Sequence, residues 1–133
     1  MAHNYLALDV GEKRIGVATA NDAVPIAVTH STIDVDGDEV QRIADLVKDE
    51  SIDIVVVGYP RNQSGEATAQ TAYVEQFVEK LRPVVAHVVF QDESLTSVEA
   101  EKYLKSHGKN YQKSDVDALA ASLILQDYLE SNR

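Results

Sequence analysis

Short apolar runs alternate with polar turns along the chain, and this pattern predicts a mixed sheet. Strands are predicted at about 4–10, 14–21 and 25–32, and Gly11-Glu12-Lys13 is predicted to form a tight hairpin between the first two. The runs at 52–57 and 84–90 are almost continuously apolar and rich in β-branched residues, which is typical of parallel strands buried on both faces.

Helical periodicity fills the intervals between these strands. Helices are predicted at about 38–50, 66–81 and 96–107, and a last helix begins at Ser114. The predicted buried face of the last helix consists of Val116, Leu119, Ala120, Leu123 and Ile124. The pattern therefore predicts one α/β domain over residues 1–133, with three antiparallel strands, then two parallel strands, and helices on both faces.

Composition excludes several classes of protein. The chain has no cysteine, which rules out disulfides, thiolate nucleophiles and cysteine-based zinc sites. It has no apolar stretch of the roughly 20 residues that a membrane helix needs and no signal-like N-terminus, so we expect a cytoplasmic protein without a membrane partner.

Charge is unevenly distributed along the chain. The formal net charge of -10 opposes non-specific binding to nucleic acid, which depends on neutralising phosphates. However, residues 102–113 contain four lysines and one histidine without any acid. This segment is either a solvated helix face and loop or an outer track for a polyanion.

Acidic residues stand at the ends of three predicted elements. Asp9 closes the first strand, Asp92-Glu93 closes the fifth, and Asp117 opens the last helix. Converging carboxylates would form the oxygen site that hard divalent cations prefer. Each position also has a simpler interpretation: an Asx turn at Asp9, solvated residues at Asp92-Glu93, and a helix cap at Asp117. Asp115 is an alternative to Asp117 as the acid that faces the metal.

Two further sequence features concern backbone and phosphate contacts. Gly16, in the second strand, would allow another element to approach the backbone closely. The segment 58–65 follows the fourth strand, and ligands of open α/β sheets bind beyond the carboxyl ends of strands. Arg61 could therefore hold a phosphate and Asn62 a sugar or base edge, unless the segment is a plain turn.

Four motifs together resemble the YqgF/RuvX family. They are Leu8-Asp9-Val10-Gly11-Glu12-Lys13-Arg14-Ile15-Gly16-Val17-Ala18, then Val57-Gly58-Tyr59-Pro60 with Gly65, then Asp92-Glu93-Ser94-Leu95-Thr96-Ser97, and finally Lys113-Ser114-Asp115-Val116-Asp117-Ala118-Leu119-Ala120-Ala121. The resemblance spans essentially the whole chain. It implies a ribonuclease H-like fold related to Holliday-junction resolvases, and a nuclease assigned to processing the 5′ end of pre-16S rRNA during ribosome biogenesis.

The resemblance also implies which residues do the chemistry. The family's acidic site maps onto Asp9, Glu93 and Asp117, which would be the catalytic ligands of Mg²⁺ or Mn²⁺. Lys13, Arg14, Arg61 and Asn62 are the substrate-binding candidates. Two positions depart from the family pattern: Ser94 stands where an arginine is usual, and Glu12 stands where many members have threonine.

Several functions remain open at this level. The substrate could be pre-rRNA, alone or in a ribosomal precursor particle, or branched DNA as for a Holliday-junction resolvase. A non-catalytic rRNA-binding assembly factor is a further alternative. Asp9-x-Gly11 with Gly16 also resembles the phosphate hairpin of the actin and sugar-kinase superfamily, although that class clasps nucleotide between two such domains. The sequence leaves the oligomeric state undetermined.

Overall fold

The computed structural model describes residues 3–60, 68–92 and 113–131, which form a five-stranded sheet with helices on both faces. Its elements are β1 Asn4–Val10, β2 Arg14–Asn21, β3 Val24–Asp34, α1 Glu39–Asp49, β4 Ile54–Tyr59, α2 Ala69–Leu81, β5 Val88–Asp92 and α3 Lys113–Ser131. The strand order is β3-β2-β1-β4-β5. The β3-β2-β1 pairs are antiparallel and the β1-β4-β5 pairs are parallel, as the sequence predicted. The predicted helix at 96–107 lies outside the described residues.

Alternation along β1 assigns its side chains to two separate cores. Leu6, Leu8 and Val10 pack on one face against α1 and α2, together with the buried side chains Ile43, Val74, Phe77, Val78 and Leu81. Tyr5 and Ala7 point to the other face, where they pack with Ala18, Val56 and the buried α3 residues Ala121, Ile124, Leu125 and Leu129. Among the described residues, α1 and α2 therefore cover one face of the sheet and α3 covers the other.

The predicted strand at 84–90 is wrong at its start and in its burial. Turn residues follow α2, and the amides of Val84 and Val85 donate to the Leu81 carbonyl at 2.9 and 3.0 Å, so β5 begins only at Val88. This strand lies at the edge of the sheet, where Phe90 is 39% exposed. A run of β-branched residues does not distinguish an edge strand from a central one, because burial is decided by distant neighbours.

The predicted buried face of the last helix is only partly correct. Ala120 and Ile124 are buried, but Val116, Leu119 and Leu123 are only partly buried. Small side chains take their places, because α3 lies very close to the sheet: a Cβ at Gly16 of β2 would lie 1.8 Å from the Asp117 carbonyl oxygen. No helix in the described part of the chain has both the length and the apolar character that crossing a bilayer requires.

Strand β3 forms the other edge of the sheet, and α3 covers part of it. The side-chain amide of Gln126 accepts a hydrogen bond from the Ala27 amide at 2.9 Å and donates to the Pro25 carbonyl at 3.4 Å. On the opposite face of β3, Val24, Ile26 and Val28 are each more than half exposed. The edge is therefore apolar, and its backbone groups at residues 25 and 27 are bonded to a helix side chain.

Burial of Tyr5 predicts a loss of stability at alkaline pH. Burial, followed by the 2.8 Å hydrogen bond from its hydroxyl to Asp22, raises the pKa of Tyr5 from 10.0 to about 12. Above pH 10 the unfolded chain loses this proton while the folded chain keeps it, so the free energy of unfolding should fall as pH rises toward 12. Urea unfolding between pH 9 and 11 should show a steeper decline for the wild type than for Tyr5→Phe. Parallel slopes would contradict the contribution of Tyr5.

The contact at Gly16 predicts a site-specific loss of packing. Gly16→Ala should lower the free energy of unfolding by about 1–3 kcal/mol, because the added methyl group must push α3 away from β2. Amide hydrogen exchange in α3 should accelerate in this variant. Gly37→Ala is the matched control, since Gly37 has a φ of +106° with no atom within 4 Å of an added Cβ. That control should cost stability through backbone conformation alone and leave exchange in α3 unchanged.

Candidate active site

Asp9 lies near the carboxyl end of β1, on the face that α3 covers. It shares the phase of Tyr5 and Ala7, which pack against α3, so the alternation of the strand directs its side chain to that face. Its cross-strand partner in β2 is Gly16. The packing of Tyr5 and Ala7 thus indicates the face of Asp9.

Asp117 lies on α3 beside the same glycine. Gly16 has no side chain, and its vacant Cβ position is filled by the Asp117 backbone. A helix-capping side chain would be expected at the start of the helix or in its first turn. Because α3 begins at Lys113, Asp117 falls beyond that turn. Gly16 is therefore the common neighbour of two of the three candidate acids.

Arg14 forms an ion pair with Asp117. Its Nε donates to Asp117 Oδ2 at 2.8 Å, and the two side chains retain 31% and 23% of their accessible surface. Arg14 is in phase with Gly16 and Ala18 along β2, so it points to the same face as Asp9. The sequence predicted Arg14 as a substrate-binding residue but gave no indication of this partner 103 positions away.

A cleft of about 360 Å³ opens at this end of the sheet. Its lining consists of Gly11, Glu12, Lys13, Arg14, Gln70 and Asp117. Two of these side chains are cationic and two are anionic, so the cleft is locally balanced although the chain carries a net charge of -10. Balanced charge in a strongly acidic protein distinguishes this surface as one that an anion can approach.

Gln70 is a cleft residue that the sequence analysis missed. It lies in the first turn of α2, and its side-chain amide donates to the Val10 carbonyl at 2.9 Å, which joins α2 to the end of β1. The start of α2 is fixed by a capping box between Thr68 and Thr71, and the Thr71 hydroxyl also donates to the Pro60 carbonyl. A glutamine in a helix gives no local signal of such a position, because the contact depends on how α2 crosses the sheet.

Negative charge borders the cleft on the α2 side. The pKa of Tyr73 is raised, first by burial and then by the charges of Glu39 and Glu12. Glu12 itself lines the cleft. Its carboxylate is one of the two negative charges that offset Lys13 and Arg14 in the cleft.

Asp92, the last residue of β5, lies on a face of the sheet that its neighbours in the strand indicate. Asp92 pairs with Tyr59 and has the phase of Val88, which packs against the core beneath α1 and α2. Its side chain therefore belongs to the face opposite Asp9. Glu93, Arg61 and Asn62 lie outside the described residues. Within residues 3–60, 68–92 and 113–131, no three acidic or histidine side chains form a metal-binding group, so convergence of Asp9, Glu93 and Asp117 stays a prediction.

The donor chemistry of the site fits a hard divalent cation. Asp9 and Asp117 supply carboxylate oxygens, and the described chain contributes no sulfur ligand. Asp117 already accepts a charge-assisted hydrogen bond from a cation, Arg14, at 2.8 Å. One of its oxygens is thus already engaged by a positive charge.

Comparison with solved structures identifies the fold. The chain is similar to Thermus thermophilus RuvC, solved in complex with its Holliday junction substrate, with a TM-score of 0.56 at 12% sequence identity. The match covers 97% of this chain and 94% of that one. Together with the strand order, it confirms the predicted ribonuclease H-like fold.

Sequence comparison identifies the family. A relative from Caldanaerobacter subterraneus, named "Putative pre-16S rRNA nuclease", is 43% identical over 96% of each chain. A relative of the same name from Crocosphaera subtropica is 40% identical, covering 96% of this chain and 93% of its own. The family model described as "RuvX: Holliday junction resolvase" matches residues 3–131. By this near-complete match, the chain belongs to the RuvX family.

Proposed function

We propose that this chain is a metal-dependent endonuclease that hydrolyses a phosphodiester at the 5′ end of pre-16S rRNA. The observation that carries the proposal is the placement of Asp9 and Asp117 around Gly16, beside a cleft lined by Lys13 and Arg14. Carboxylates for a cation and cations for a phosphate are the two components that phosphodiester hydrolysis at a metal site requires.

The proposed ligands of Mg²⁺ or Mn²⁺ are Asp9, Glu93 and Asp117. A cation bound there would activate water and neutralise charge on the scissile phosphate. Asp92 is a poor alternative to Glu93, because its strand phase directs it to the other face of the sheet. The close contact at Gly16 supports a fixed distance between β1 and α3, which a site with ligands from both elements needs.

Cationic and polar side chains of the cleft would hold the substrate backbone. Lys13 is exposed beside Arg14 and can act as a point charge toward a phosphate. Gln70 is anchored through its bond to Val10, so its amide is held at the cleft. Arg61 and Asn62 are proposed to contact a neighbouring phosphate and a sugar or base edge.

The substrate assignment follows the names of the relatives, and DNA is the second candidate. Both curated relatives carry pre-16S rRNA in their names, whereas the family description names Holliday junctions. With a net charge of -10, we expect weak affinity for isolated RNA. A cytoplasmic ribosomal precursor particle, whose proteins supply positive charge, is therefore the proposed natural substrate.

Replacing the acids should separate cleavage from binding. Asp9→Asn and Asp117→Asn should each lower single-turnover cleavage of a precursor 16S rRNA fragment by at least about 100-fold, since each removes a proposed ligand charge. RNA binding, measured by fluorescence anisotropy, should stay near the wild-type value or become tighter. Asp49→Asn is the matched control, because Asp49 is exposed on α1, on the other side of the sheet.

The same assay distinguishes the rival functions. A four-way DNA junction and the RNA fragment should be compared at equal Mg²⁺ and Mn²⁺ concentrations, with a chelator control. Faster cleavage of the junction would assign the chain to junction resolution. Binding of RNA without metal-dependent cleavage of either substrate would favour the non-catalytic assembly factor.

Metal binding to the folded chain should raise its melting temperature. A cation at 100 times its dissociation constant adds about 2.7 kcal/mol to the free energy of unfolding. Asp9→Asn should show a smaller shift with Mn²⁺ than the wild type, and Asp49→Asn should match the wild type. Equal shifts in all three proteins would exclude Asp9 as a ligand.

A further inference from the structure

The ion pair between Arg14 and Asp117 has a consequence for how the proposed metal site is filled. Asp117 is a proposed ligand, yet one of its oxygens already receives the Arg14 Nε at 2.8 Å. A divalent cation and a guanidinium compete for the same carboxylate, because its negative charge attracts each of them and the two positive charges repel one another.

Stability alone does not account for this pair. Both side chains are part-buried but keep contact with solvent, which screens their attraction and lowers its contribution to folding. The pair also lines an open cleft, where it can separate without disturbing a packed core. An ion pair that solvent and ligands can reach is suited to exchange.

The guanidinium has donors left for a second partner. Asp117 engages Nε, and the described residues provide no acceptor for Nη1 or Nη2. Two oxygens of a phosphate in the cleft could accept from both Nη groups at once. Asp117, which accepts from Nε, does not use these donors. Arg14 therefore has two anionic partners to choose between, its own Asp117 and a substrate phosphate.

We propose that Arg14 is a resident counter-cation of the site, which weakens metal binding until a substrate phosphate draws the guanidinium away from Asp117. This inference rests on the proposed function, in which Asp117 is a metal ligand. By linkage, metal and nucleic acid should then bind with positive cooperativity, and each should strengthen the affinity for the other to the same degree.

Mn²⁺ affinity, measured by isothermal titration calorimetry without substrate, tests the proposal. Arg14→Gln should tighten Mn²⁺ binding by about three- to tenfold, the effect of removing one nearby unit charge from a partly solvated site. Lys13→Gln is the matched control: it removes a charge from the same cleft, where the described residues show no ion pair for Lys13, and should have a smaller effect. Arg14→Lys should stay near the wild-type affinity. Arg14→Met, which keeps an apolar stem, replaces Arg14→Gln if that variant does not fold.

Two further arms separate the possible failures. In an Asp117→Asn background, Arg14→Gln should change Mn²⁺ affinity clearly less than in the wild type, since only the charge repulsion remains and the competition for the Asp117 carboxylate is gone. Addition of an RNA hairpin, checked by gel for integrity after the titration, should tighten Mn²⁺ binding to the wild type but not to Arg14→Gln.

The outcomes that overturn each claim are distinct. If folded Arg14→Gln binds Mn²⁺ equally well or more weakly than the wild type, while Asp117→Asn weakens binding, Arg14 only positions Asp117 and the counter-cation proposal fails. If Asp117→Asn leaves Mn²⁺ affinity unchanged, Asp117 is not a ligand and the proposed ligand set itself fails.

Discussion

The close contact between α3 and β2 at Gly16 determines the geometry of the rest of the site. Without a side chain at this position, the backbone of α3 reaches the strand, and Ala121 of the helix packs with Ala7 and Ala18 of the sheet. The same contact fixes Asp117 beside the residue that pairs with Asp9. The placement of Asp9 and Asp117 around one glycine, although they lie 108 positions apart in sequence, thus depends on the absence of one methyl group.

The charges near this contact are balanced, whereas the chain as a whole is strongly negative. A net charge of -10 would repel a polyanion, but Lys13 and Arg14 offset Glu12 and Asp117 within the cleft. The hairpin that joins β1 and β2 supplies three of these four side chains. One tight turn therefore sets both the end of the strand that carries Asp9 and the local electrostatic balance.

Local patterns predicted the antiparallel half of the fold well, and long-range contacts account for what they missed. The bounds of β1 and β2 agree with the apolar runs and the Gly11 turn, because hairpins are specified by adjacent residues. The start of β5, its edge position and the buried face of α3 were mispredicted, since each depends on neighbours distant in sequence. At Gly16 the sequence indicated a close approach, but not that α3 makes it. The partner of Arg14 and the position of Gln70 had no sequence signal for the same reason.

Helix α3 also protects an edge that could pair with another chain. Gln126 occupies backbone groups of β3 at Pro25 and Ala27, beside an exposed row of Val24, Ile26 and Val28. An apolar edge strand with free backbone groups is a template for intermolecular β-pairing and aggregation. The helix that shields this edge also carries Asp117. Mutations that loosen α3 would therefore displace Asp117 and promote aggregation at the same time. Selection against aggregation would therefore also preserve the position of the acid.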